Sequence, residues 1–397
     1  MTRPLQHECR IECRFDVHFT RYAFSPANPL LHDLLLERSE DGAQVVVLVD
    51  GGLTRAQPGL TDEIAAYFTE GDMARHFRLA LRPLVVAGGE ACKNDPALLE
   101  QLYAQLAERH VGRQAWLIAV GGGALLDLAG YVAATTHGGL RLLRLPSTVL
   151  AQGSAGLELT ASLNFHGRKD FMRCFAPPGA VVNDEIFLRS LPERERRAGI
   201  AEALRVALVD EPDFFQQLYA RRQALARGDR QAITDMIARS ARLHLRRVGL
   251  PATEAGPNPL ELGQWAALHL EELTNGGLHH GEAVALGVAL DVLYSHQALG
   301  LTQPETTAVF ELLLALGFEV DHSALAGLDV SAALAAYREH GGGRYILLPG
   351  LGEPRAVTRI DADLMARCVD ALLHIDPHDL PALCRLEGAP GEARRRA

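Results

Sequence analysis

The apolar positions of this chain change rhythm near its midpoint. In the first half, short apolar runs alternate with longer segments whose apolar residues recur at helical spacing. Residues 43–50 (AQVVVLVD), 84–87 (LVVA), 115–120 (AWLIAV) and 141–145 (RLLRL) are too short for helices and end in Gly, Pro or Asp, which predicts buried strands. Between them, 61–70, 95–111 and 124–136 carry the helical period. Such alternation predicts a parallel sheet covered by helices, an α/β, Rossmann-like arrangement. From about residue 191 the pattern is almost wholly helical, over 193–209, 212–226, 230–248, 260–274, 280–299 and 304–316, with breaks mostly at Gly and Pro. The reading is therefore an N-terminal α/β domain over 1–190 and an all-helical C-terminal domain over 191–376. The tail from Pro377 to Ala397 lacks periodicity and reads as flexible.

Composition narrows the function. With 397 residues the chain is long enough for two ordinary cores, and 48% apolar with 22% charged residues is a globular balance. A formal charge of −10 argues against a nucleic-acid partner, which calls for a basic face. No run reaches the roughly 18–20 apolar residues of a membrane span, and residues 1–19 lack the apolar core and cleavage site of a secretory signal. The six cysteines are scattered, and Cys9 and Cys13 have no second pair to build a zinc ribbon. Reduced thiols in the cytoplasm, with no membrane partner, are the expectation.

Candidate chemistry gathers at the ends of the expected strands. Val120-Gly121-Gly122-Gly123-Ala124-Leu125-Leu126-Asp127 follows a strand and opens a helix. Glycines there let backbone N–H groups approach a pyrophosphate, and the helix N-terminus adds partial positive charge. A Gly-rich turn without a ligand is the alternative. The loop Gly88-Gly89-Glu90-Ala91-Cys92-Lys93 offers a cation for phosphate and a carboxylate for a ribose hydroxyl. Asp50 ends a strand where an acidic residue reads an adenosine ribose, although a plain turn former fits equally well. Three such loops on successive strands favour a dinucleotide site. Lys93 and Lys169 are the only lysines in the sequence.

At this point a family resemblance emerges. Gly88-Gly89-Glu90 with Lys93, Gly121-Gly122-Gly123 with Asp127-Leu128-Ala129-Gly130, and Leu145-Pro146-Ser147-Thr148-Val149-Leu150-Ala151-Gln152 resemble 3-dehydroquinate synthase. So do Gly167-Arg168-Lys169, Ser190-Leu191-Pro192, Gly199-Ile200-Ala201-Glu202-Ala203 and His280-Gly281-Glu282-Ala283-Val284. The match runs from about residue 45 to about 350, in the family's order. Cys174-Phe175-Ala176-Pro177-Pro178, Phe214-Phe215 and Glu339-His340-Gly341-Gly342 are more similar to the branch that makes C7 cyclitols from sedoheptulose 7-phosphate, the 2-epi-5-epi-valiolone synthases. The resemblance implies a dehydroquinate synthase-like fold, an active site in the cleft between two domains, a homodimer, transient use of NAD, phosphate elimination, and a divalent metal of zinc or cobalt type held by one Glu and two His. It places Asp50, Glu90, Lys93, Gly122, Gly123, Asp127, Ser147, Thr148, Leu150, Lys169, Ser190, Leu191 and Glu195 at the family's NAD contacts.

The same resemblance exposes departures. Glu202 and His280 match two metal ligands, but the other histidine and a catalytic histidine are Gln264 and Leu268. His269, five residues from Gln264, points about 140° away on a helix and cannot substitute; His279 adjoins His280 but projects differently. An amide oxygen is a poor zinc ligand. At substrate positions the family's Asp is Ser154, its Lys-Asn pair is Thr160 and Ala161, an Asn is Asp170, and a phosphate-binding Arg is Gly138. A second Arg is missing from Gly256-Pro257-Asn258, and a Lys is Arg205.

Three readings follow. One is an NAD-binding cyclase homologue, catalytically retired or altered, acting as a homodimer or paired with an active paralogue. The second is a divergent cyclase that takes a sugar phosphate such as sedoheptulose 7-phosphate, with Arg205 and Glu282 as remaining catalytic groups beside Glu202 and His280. The third is a polyol dehydrogenase of the related iron-type family.

Overall fold

The computed structural model describes residues 5, 7–9, 11–166, 168–250, 252–339 and 343–384. Among these, the chain divides into two compact units. One comprises the residues up to Ser147 together with Glu158–Ser190; the other comprises Thr148–Leu157 together with the residues from Leu191 onward.

The first unit is built on nine strands: β1 (Asp16–Thr20), β2 (Ala43–Asp50), β3 (Phe77–Leu79), β4 (Leu84–Val86), β5 (Trp116–Gly121), β6 (Arg141–Pro146), β7 (Thr160–Phe165), β8 (Arg168–Phe175) and β9 (Ala180–Asp184). Seven form one sheet in the order β1-β9-β6-β5-β2-β3, with β4 also on β2, and every pair is parallel. Val45–Val49 lie beside Trp116–Val120, which lie beside residues 141–145. Val45, Val47 and Val49 turn to one face, where they join Ile118, Val120, Leu143 and Leu145 in a core with Leu31, Leu35 and Phe68. Each fully buried side chain of this kind contributes roughly 1.5–3 kcal/mol. On the other face the Gly123–Thr135 helix covers β5 and β6. β7 and β8 form a separate antiparallel hairpin whose first strand packs on that helix.

The second unit is organised around the His280–Leu299 helix, in which every residue from Ala283 to Ser295 is buried. A helix apolar on all sides belongs at a core centre. The helices Glu193–Asp210, Gln264–Leu273, Gln303–Ala315 and Ala362–Leu373 pack on it. Two of these contacts need glycine. A Cβ on Gly281 would lie 2.2 Å from Ala198 Cα, and one on Gly287 would lie 2.1 Å from the Gly263 carbonyl oxygen.

The structure corrects several expectations. The second unit is helical but not all-helical, because β10 (Tyr345–Gly350) and β11 (Glu353–Val357) form an antiparallel hairpin. The segment 148–157 groups with it and not with the first unit. The expected 260–274 helix begins at Gln264, since Gly263 takes the left-handed conformation (φ 71°), and the expected 212–226 helix breaks after Ala220. Within the segment expected to be a flexible tail, Leu380–Leu383 is a short helix with Leu380 and Leu383 buried, while 385–397 lie outside the described residues, as do Gly167 and His340–Gly342 of the sequence motifs. Among the described residues no helix is long and apolar enough to cross a membrane.

Candidate functional site

In the first unit the expected nucleotide loops stand at the carboxyl ends of the central strands. Asp50 closes β2, and its Oδ1 accepts from Gly52 N (2.7 Å) and Leu53 N (3.2 Å), capping the Gly51–Ala56 helix. The turn-former role is thus visible directly. A Cβ on Gly88 would fall 1.9 Å from Asp50 Oδ2, so this loop approaches the carboxylate as only glycine allows. Gly122 sits at the N-cap of the Gly123–Thr135 helix and, as a glycine, provides no side-chain cap to its first turn. That leaves a three-turn helix N-terminus served by backbone N–H groups alone, which suits an anion. Ser147 N donates to Gly121 O (2.9 Å), tying the ends of β5 and β6 together, and Ser190 Oγ accepts from Gln57 Nε2 (3.1 Å).

Lys93 is the centre of this group. Only 5% exposed, it donates from Nζ to Asp127 Oδ2 (2.7 Å), Ser162 Oγ (3.2 Å) and Asp170 Oδ1. Burial alone would depress its pKa, but Asp127, Glu90 and Asp170 outweigh burial and hold the ammonium above its usual value. Asp170 is lowered: burial opposes this, and Lys93 prevails. Asp127 is raised, since there burial outweighs Lys93. Asn164 links the same group, with Nδ2 donating to Glu90 Oε1 (2.7 Å) and Oδ1 accepting from Asp170 N (2.8 Å). Ser162 and Asn164 escaped the sequence reading because a single polar residue in a short strand carries no motif. Lys169 lies on β8, beside Asp170.

The other expected nucleotide residues belong to the second unit. Thr148 Oγ1 accepts from Ala151 N (3.1 Å) and caps the Val149–Gly153 helix. A Cβ on Gly199 would lie 2.5 Å from Leu150 N. Leu191 precedes the Glu193–Asp210 helix, whose first turn carries Glu195, 3.4 Å from His279 Nδ1.

The residues at the family's metal position meet in the second unit. Glu202 and Arg205 come from one helix, Gln264 opens another, and His280 opens a third. His280 Nε2 lies 3.0 Å from Glu202 Oε1, and its Nδ1 lies 2.6 Å from Glu271 Oε1. Arg205 Nε is 3.3 Å from Glu202 Oε2, its Nη1 donates to Gln264 Oε1 (2.7 Å), and its Nη2 donates to the Leu260 carbonyl. Burial would lower the His280 pKa, but bonds to Glu202 and Glu271 outweigh it and push the ring up to about 9. Burial likewise opposes ionisation of Glu202, whose pKa is nevertheless held low by Arg205 and His280, with a smaller contribution from His244. Glu271 and His244 were missed in the sequence. Each sits on a helix face with no motif around it, and only the crossing of helices reveals its partner.

These residues do not fit a divalent metal. Gln264 offers a neutral amide oxygen where a zinc-type ion takes imidazole, and the Arg205 guanidinium already brings positive charge to Glu202. Gln264 Oε1, the third candidate donor, is engaged by Arg205. Among the described residues no group of three or more His, Cys, Asp or Glu is arranged to hold a metal ion. Nor does a neighbour fill in: no bond joins His269 to Glu202 or His280 among the described residues, and Glu282 is occupied at its helix start. Its Oε2 accepts from His279 N (2.9 Å) and both its oxygens accept from Arg194 (2.7 and 2.5 Å).

Comparison with known proteins places this geometry. Residues 83–198 match the family model "3-dehydroquinate synthase N-terminal" and residues 199–339 match "3-dehydroquinate synthase C-terminal". The 3-dehydroquinate synthase of Xanthomonas axonopodis pv. citri (strain 306) is 32% identical over 349 residues, covering 83% of this chain and 86% of that one. Among solved structures, 2-epi-5-epi-valiolone synthase from Streptomyces hygroscopicus subsp. jinggangensis 5008, with NAD+ and Zn2+ bound, aligns with a TM-score of 0.81 at 23% identity, covering 94% of this chain and 100% of that one. A 2-deoxy-scyllo-inosose synthase complexed with carbaglucose-6-phosphate, NAD+ and Co2+ aligns with a TM-score of 0.72 at 20% identity, covering 89% and 95%. Two family models that span most of the chain, together with a relative above 30% identity over most of both lengths, settle the kinship: this chain belongs to the sugar phosphate cyclase family of 3-dehydroquinate synthase and its relatives.

Proposed function

We propose that this chain binds NAD at the Asp50, Glu90–Lys93 and Gly122–Gly123 loops and has retired the family's metal-assisted cyclisation. The observation that carries this reading is the contrast between its two groups of residues. The nucleotide loops keep an open helix N-terminus and glycine-dependent approaches, whereas Glu202, Gln264 and His280 are bonded to Arg205, Glu271 and one another. NAD, when bound, supplies a hydride acceptor; the chain's own residues position it. The Gly123–Thr135 helix faces a pyrophosphate with backbone N–H groups, Asp50 and Glu90 take ribose hydroxyls, and Lys93 fixes Asp127. The chain acts in this reading as a nucleotide-bound partner, as a homodimer or with an active paralogue.

A divergent cyclase is the second reading, favoured by the Lys93–Asp127–Ser162–Asp170 network, which retains ordered polar groups beside the nucleotide loops. One assay separates the two. Purified protein with NAD and sedoheptulose 7-phosphate is followed for inorganic phosphate release. No release above the uncatalysed rate is the expected outcome. Turnover of about 1 per second or more, ordinary for an enzyme, would show an active cyclase.

A further inference from the structure

We propose that the Arg205 guanidinium is a fixed internal cation standing in place of the divalent metal, so that this chain holds its Glu202, Gln264 and His280 constellation without any ion. The inference deepens the reading of a retired cyclase and rests on it. The geometry is specific. Both terminal guanidinium nitrogens are committed, Nη1 donating to Gln264 Oε1 at 2.7 Å and Nη2 to the Leu260 carbonyl, while Nε forms an ion pair with Glu202 Oε2 at 3.3 Å without a hydrogen bond. One planar cation therefore pairs with the carboxylate and donates to the amide at two of the family's ligand positions.

Burial makes the substitution consequential. Arg205 is 2% exposed and Glu202 5%, so each charge has left bulk water and relies on its partner. A divalent ion entering beside Arg205 would meet like charge in a dry site and would find the Gln264 oxygen and one Glu202 oxygen already directed at N–H donors. A lysine at 205 would present one compact ammonium in place of a planar fork whose two terminal nitrogens reach Gln264 and the Leu260 carbonyl separately. Gln264 and Arg205 thus form a matched pair of changes: the amide oxygen accepts from the guanidinium, and the guanidinium anchors the first residue of the Gln264–Leu273 helix. Arg205 is a positioning residue and not a catalytic one, since both its terminal nitrogens are spent on protein acceptors.

The test is cobalt uptake by the full chain. Protein saturated with NAD is dialysed against Co2+, desalted, and read for bound cobalt and for the visible d–d absorption of a protein-held ion. Wild type is expected to retain far less than one equivalent and to show no d–d band. Arg205→Lys/Gln264→His is expected to gain about one equivalent with the band of a site holding three protein ligands, and adding Glu202→Gln should remove both. Gln264→His alone, with Arg205 in place, is expected to stay metal-free. Wild type that retains one equivalent dependent on Glu202 would overturn the proposal. So would a cobalt-loaded Gln264→His single variant, or a double variant with wild-type circular dichroism that takes up no more cobalt than wild type. NAD retention read on the same samples judges the proposed function separately.

Discussion

Lys93 shows how much one residue can organise. Its ammonium bridges Asp127, Ser162 and Asp170, drawn from the Gly123–Thr135 helix and both strands of the β7–β8 hairpin. Lys93→Met would leave two carboxylates facing each other with no cation between them. Breaking a buried pair by deleting one partner costs about 3–5 kcal/mol, so the variant's urea midpoint should fall by that equivalent, and its NAD affinity should fall more than tenfold. A variant with wild-type stability would remove Lys93 from this role. The residue was conspicuous in the sequence as one of two lysines. Its partners were not, because Ser162 and Asn164 carry no pattern until the hairpin folds onto the 90–94 turn. Arg205 was legible as a departure from the family, but its engagement with Gln264 and Leu260 was not, since nothing in the sequence gives a side chain's direction.

At the scale of elements, Asp291 explains where the Gln264–Leu273 helix begins. Fully buried in the central His280–Leu299 helix, it accepts from Gly263 N at 2.6 Å through Oδ2 and from Trp265 Nε1 at 2.9 Å through Oδ1. Burial pushes its pKa up to about 7, with the two bonds offsetting only part of that. The sign follows from linkage. A carboxyl whose folded pKa exceeds its unfolded value stabilises fully below about pH 4, and that contribution is lost as pH rises through about 7. The range involved is at most about 4 kcal/mol, from roughly three pKa units. Asp291→Asn, neutral throughout, should lose about 1–3 kcal/mol near pH 4 because its amide nitrogen faces one of the two N–H donors. Its thermal midpoint should then fall less than that of wild type between about pH 4 and pH 8. Parallel midpoint curves would show that Asp291 does not titrate there.

Elements were legible where periodicity was pure. The valine run Val45–Val49 and the apolar His280–Leu299 helix appear where the pattern places them. Position-specific devices hid the rest. Gly263 in a left-handed conformation starts a helix late, and β9, with five buried residues, is too short to carry a period. The β10–β11 hairpin, enclosed by helices in the chain, was absorbed into their pattern. For Asp291 the available signal is one lone aspartate in an otherwise apolar helix.

At the scale of the whole molecule, the proposed NAD-binding loops lie in the first unit and the Glu202–Arg205–Gln264–His280 constellation in the second. Of the residues that the family resemblance places at NAD contacts, nine belong to the first unit and four to the second. Binding to the native state alone should stabilise the protein by about 2.7 kcal/mol when NAD is present at a hundred times its dissociation constant. The most direct test is a calorimetric titration of NAD into protein stripped with EDTA, repeated with Zn2+ added. Stoichiometric binding with the same dissociation constant in both conditions is the predicted result. NAD that fails to bind, or that binds only once zinc is restored, would contradict the account.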